Sequence, residues 1–193
     1  MKRLPFLTSL AAAGASLGSP TVAASNRSVS LEIRKVAWSV RPGLTVNVAA
    51  YNGIVPGPLL RVTEGDHLSV NVQNRTTDLQ SVHWHGLVAS DRVDGVIELG
   101  SPAVPVNGSR RYEFTATPGG TRWYHAHRGD GLFSGMFAPL IVDRKHERGN
   151  YDREVVLVLH EFGERIETLP PMAAKWKSAR IGREGTSELT MLL

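Results

Sequence analysis

The chain has 193 residues, 22 of them basic and 18 acidic; its formal charge of +4 falls to +2, 20 basic against 18 acidic, without the two basic residues at its start, Lys2 and Arg3, which is too balanced to argue for a nucleic-acid or anionic-membrane partner. It contains no cysteine, which excludes disulfides, thiolate nucleophiles, zinc ribbons, iron–sulfur clusters and the cysteine-ligated blue-copper site together.

The first two dozen residues read as a leader rather than as part of the fold. Lys2 and Arg3 precede a small-residue, apolar run over residues 4–17, and Val22-Ala23-Ala24 supplies a cleavage site after Ala24. A membrane anchor is disfavoured because the run is short and broken by Pro5 and Gly14, with Pro20 close behind. No later segment is long enough to span a bilayer, so the mature protein is expected to be periplasmic or secreted. Without Lys2 and Arg3 it has 20 basic residues against 18 acidic. That length suffices for one domain with a real core. We divide the chain into a signal peptide (1–24), one domain (25–160) and a tail or truncated linker (161–193).

From Val29 onward the sequence alternates apolar and polar residues in short stretches. Val29, Leu31 and Ile33 form one set, Leu44, Val46 and Val48 the next, and Leu68, Val70 and Val72 a third. Asn52-Gly53 and Pro56-Gly57-Pro58 punctuate them as turns. Further strands are predicted over residues 80–85, 111–115, 121–125, 137–142 and 154–159. Residues 86–108 form a long connection, with Asp94-Gly95 and Pro102, expected to fold over one end of the molecule. About eight or nine strands with no crossover helix indicate an antiparallel sandwich or barrel. Beyond Glu161 no core-facing period is visible, and the basic residues Lys175, Lys177, Arg180 and Arg183 read as a solvated tail.

The chemistry concentrates in two H-x-H pairs, His83-Trp84-His85 and His125-Ala126-His127, which hold four of the seven histidines. Random placement would give roughly 0.2 such pairs, so two are not accidental. In a strand, residues i and i+2 share a face, with roots roughly 6.6 Å apart. Each pair therefore aims two imidazoles one way, and if the strands are neighbours four converge. Neutral imidazole is a ligand for copper and for zinc, so both metals stay open on the residues alone. Trp84, Trp123 and Tyr124 are read as core filler on the opposite face, Met136 as packing, and His67, His146 and His160 as ordinary surface residues. Arg110-Arg111 is read as solvated.

Tyr51-Asn52-Gly53, Pro56-Gly57-Pro58, Arg61, Glu64-Gly65-Asp66, His83-Trp84-His85-Gly86, Asp94-Gly95, Trp123-Tyr124-His125-Ala126-His127 and Pro139-Leu140-Ile141-Val142 follow one another in order. That series resembles the first cupredoxin domain of the multicopper oxidases, the laccase-like family, over roughly residues 29–159. The resemblance implies an all-β, cupredoxin-like antiparallel Greek-key sandwich, a single domain with copper as cofactor. It assigns His83 to an isolated copper and His85, His125 and His127 to a copper pair. It also suggests that Asp94 orients water or supplies protons, although an Asp-Gly pair is more often simply a turn. Gly86 and Gly131 suit tight backbone passages near the site. Family members need a second histidine set and a cysteine from a later domain, and nothing after His127 matches these. The resemblance thus implies half of a trinuclear site, inactive alone and completed by a partner domain or subunit. Identical copies would repeat the same half and add no thiolate. Non-catalytic copper storage or tolerance in the cell envelope is the alternative.

Overall fold

Alternation of apolar and polar residues is what builds the two sheets. The computed structural model describes residues 24–128, 135–146, 149, 151–160, 176–181 and 187–192. Apart from Ala24, the expected leader lies outside the described residues, as does Gly131. One sheet contains β1 (Asn26–Arg41), β2 (Leu44–Tyr51), β4 (His67–Asn74) and β6 (Ser109–Thr115), in the order β2-β1-β4-β6. The other contains β3 (Leu60–Thr63), β5 (His83–His85), β7 (Gly120–His125) and β8 (Phe137–Asp143), in the order β3-β8-β7-β5.

Both sheets are mixed. β1 runs parallel to β4, and β3 parallel to β8, while the other pairings within the two sheets are antiparallel. β1 is long enough to serve two neighbours, its first half laddered to β4 and its second half to β2. β3 was not foreseen, since Leu60 and Val62 are its only alternating apolar pair and Pro58 stands just ahead of it.

The core lies between the sheets. Leu31, Ile33, Leu68, Val70, Val72, Tyr112 and Phe114 face it from one side, and Leu60, Val62, Trp84, Tyr124, Ala138, Leu140 and Val142 from the other. Each large aliphatic or aromatic side chain so buried contributes about 1.5–3 kcal/mol relative to exposure. β8 is buried along Phe137–Val142 on both faces, which explains why it reads as an unbroken apolar run rather than an alternating one.

Residues 86–108 cross one end as expected, and they carry a single helical turn, α1 (Asp91–Asp94), followed by a 3-10 turn, Ile97–Leu99. Val104 pins the far end of this strap by a bridge to Gln80. The segment read as a tail holds two strands that its sequence pattern did not suggest, β10 (Trp176–Ile181) and β11 (Ser187–Leu192), laddered with β9 (Arg153–Val155) into a third sheet. β9 is tied back to the sandwich by Arg61, whose guanidinium bonds both Asp143 and Glu154. Among the described residues no helix is long and apolar enough to cross a membrane.

Candidate metal centre

The register between β5 and β7 creates the cluster. His83 pairs with His125, Trp84 with Tyr124 and His85 with Trp123. Because Trp84 and Tyr124 are buried in the core, their neighbours in both strands must project from the other face. His83 and His125 are therefore directly opposite, with His85 at one end of the patch and His127, two residues past His125, at the other. The His83 ring centre lies 5.4 Å from that of His85, 5.2 Å from His125 and 5.4 Å from His127. All four predicted histidines meet, and His83 is the hub.

Three of them come closest. Ligand nitrogens of His83, His85 and His125 lie within 4.8 Å of one another, and His85 Nδ1 is 3.4 Å from His125 Nε2. Two imidazoles on one ion, with bonds of about 2.0–2.1 Å at a tetrahedral angle, would hold their nitrogens about 3.3 Å apart. The spacing fits a shared first-row ion.

Hydrogen bonds orient the rings. His83 Nδ1 is 2.8 Å from the Asp94 carbonyl oxygen and 3.2 Å from its carboxylate. His125 Nδ1 lies 2.7 Å from the Ala126 carbonyl. A carbonyl can only accept, so in both rings the proton sits on Nδ1 and Nε2 keeps its lone pair for an ion. Burial pushes His125 down to about 3, assisted by the three neighbouring rings and opposed by the Ala126 bond. Burial, then proximity to His83, also lowers His85. Both are thus held neutral, the form that ligates without first losing a proton.

Asp94 forms the turn that the sequence allowed, and that turn places it against the cluster. It ends α1 with Gly95 as a left-handed cap at φ 87°, and it touches His83. Gly95 lies so close to β5 that a Cβ there would stand 1.8 Å from the Val82 carbonyl oxygen; only glycine lets the strap bring Asp94 onto His83. A Cβ at Gly86, where φ is 82°, would stand 2.7 Å from the Arg122 side chain, which would have to shift.

Two readings are corrected. Trp123 is not on the face of Trp84 and Tyr124: it stacks on His125 with ring centres 4.0 Å apart and lies 4.9 Å from His85. It stands two residues before His125, so the strand period places it beside the histidines. Arg110 is not a merely solvated cation. It donates to the carbonyls of Arg92 and Pro102 and to Ser101 Oγ and lies 4.1 Å over the Tyr112 ring, so it clasps the strap to β6. Met136 is buried in the core as read, His67 and His146 are exposed, and His160 is half-buried, its ring 4.2 Å from Phe137.

Comparison with known proteins agrees with this architecture. A copper resistance protein A homolog from Pseudomonas syringae pv. tomato is 36% identical over 130 residues, 67% of this chain and 21% of its own length. Multicopper oxidase MmcO of Mycobacterium tuberculosis is 36% identical over 128 residues, 66% of this chain and 25% of its own. The chain thus spans about a quarter or less of these relatives. The crystal structure of a blue copper oxidase from Nitrosomonas europaea superposes with a TM-score of 0.61 at 35% identity, covering 63% of this chain and 40% of that one. The family model described as multicopper oxidase matches residues 32–147, a span that holds both H-x-H pairs and the strap between them: the chain belongs to the multicopper oxidase family and folds as its cupredoxin-like domain.

Proposed function

We propose that this is an exported copper-binding domain that supplies half of a trinuclear copper site for oxygen-dependent oxidation and requires a partner domain or subunit for turnover. The observation that carries this reading is the convergence of His83, His85, His125 and His127 on one outward patch of the sheet, with two Nε2 lone pairs fixed by hydrogen bonds. Copper, when bound, supplies the electron-transfer chemistry that imidazole and carboxylate lack. The chain's own part is to bind and orient. Asp94 holds the proton of His83 at Nδ1, Trp123 walls off His125, and the β5–β7 register sets the separation of the rings. With no cysteine in the sequence, the thiolate that binds an electron-entry copper has to come from elsewhere.

Calorimetric titration with copper tests the reading, paired with elemental analysis of protein purified without added metal, which separates copper from zinc. The expected result is tight copper uptake that disappears when all four histidines are changed to alanine. Equal uptake by that variant would overturn it. Oxygen consumption with a phenolic reductant is expected only after a cysteine-containing partner domain is added. Relatives named copper resistance protein support a second reading, copper storage or tolerance in the cell envelope, which predicts uptake without oxidation in any pairing.

A further inference from the structure

The strap brings a second carboxylate to the histidines. Glu98 lies four residues beyond Asp94 in the 3-10 turn, and its Oε2 is 3.7 Å from His127 Nδ1. One short segment therefore offers an acidic residue to the hub of the cluster and another to its far end, and it does so at the Nδ1 atom of each ring. We propose that Glu98 is a positioning residue for His127: its carboxylate keeps the imidazole proton on Nδ1 and so turns Nε2 toward the other three rings. This rests on the reading of the four histidines as copper ligands.

The need for such a group follows from the fold. The Nδ1 atoms of His83 and His125 are fixed by main-chain carbonyls, and that of His85 faces His125. His127 lies past the last ladder residue of β7, and its side chain is 39% exposed. The ladder does not set its ring, which has the His83 and His125 rings on its inner side and the Glu98 carboxylate at Nδ1. A separation of 3.7 Å is an ion-pair distance rather than a hydrogen bond. The Glu98 side chain, 65% exposed, has room to swing the remaining distance. With a metal ion bound, the His127 Nδ1–H would be a stronger donor and the Glu98 carboxylate would be its acceptor, as carboxylates are for metal-bound histidines. Asp94 and Glu98 together also bring two acidic side chains to the histidine cluster.

The test uses the full chain labelled with 15N. Long-range proton–nitrogen spectra of the metal-free protein report the His127 tautomer, and competition with a chelator reports copper affinity. In the wild type His127 is expected to carry its proton on Nδ1. Glu98→Ala should shift it toward the Nε2–H form that free histidine favours and weaken copper binding about tenfold. Glu98→Gln keeps an acceptor oxygen and should restore most of both. An unchanged tautomer in Glu98→Ala, with or without an affinity loss, would overturn the proposal, as would a Glu98→Gln variant no better than alanine. Wild-type protein that took up no copper would sink the functional reading instead, while the tautomer measured without metal still judges Glu98.

Discussion

His125 is folded as a neutral ring, and that has a consequence for acid stability. Only 4% exposed and stacked on Trp123, it is pushed by burial to about 3. The unfolded chain regains the ordinary value near 6.5. Between these values the unfolded state binds a proton that the folded state refuses, so stability rises with pH across this window and falls as pH drops through it. His85, lowered in the same direction, adds to the slope. The metal-free protein is therefore expected to show a urea midpoint that falls steadily from pH 7 to pH 4.5, with a shallower fall in His125→Gln. A flat midpoint over that range would contradict the burial of these rings. Asp66 contributes only at lower pH. Although burial opposes it, bonds from the Ser25 and Thr63 amides and the Ser25 hydroxyl hold its carboxyl below the usual range, so its stabilisation is lost as acid protonates it. At this scale much of the site was legible in the sequence. The i, i+2 spacing gave each pair its shared direction. The same arithmetic places Trp123 with His125 rather than with Tyr124, and grouping the aromatics together as core obscured it.

Among the elements, the strap is where small changes should matter most. Gly95 has a left-handed backbone, and a methyl group there would collide with the Val82 carbonyl just before β5. Gly95→Ala must push the strap outward, which removes the Asp94 carbonyl from His83 and strains the turn. A stability loss of about 2 kcal/mol is expected, read by urea unfolding, along with weaker copper binding. A variant as stable as wild type would mean that the strap adjusts without strain. Trp84 gives the complementary case on the core side of β5. Its fully buried ring lies 4.9 Å from Phe114 and 5.5 Å from Tyr112, so Trp84→Ala should cost about 3–5 kcal/mol and broaden the whole spectrum rather than only the histidine signals. The sequence announced the connection by its length and its Asp-Gly pair. It did not announce that Arg110 would clasp it, because a cation bonded to main-chain carbonyls has no residue pattern of its own.

For the whole molecule, strand periodicity made an all-β fold legible and left sandwich and barrel open; the resemblance pointed to the sandwich, and neither showed the parallel pairings of β1 with β4 and β3 with β8. Alternation says which residues of a strand share a face and nothing about which strand lies beside it. The facing of the two histidine pairs depends on such a long-range register, so their convergence was conditional until the ladder between β5 and β7 was seen. The same limit applies to residues 153–160. There Val155, Leu157 and Leu159 are 41%, 48% and 50% exposed, while Val156 and Val158 between them are half-buried. A stretch that is apolar on both faces but covered on only one presents a sticky edge. Because the outward residues contribute little to this chain's own core, Leu157→Asp combined with Leu159→Asp should change unfolding free energy by no more than about 0.5 kcal/mol. Light scattering at high concentration should show less self-association than wild type. A loss of several kcal/mol would instead place these leucines against another part of the same folded chain.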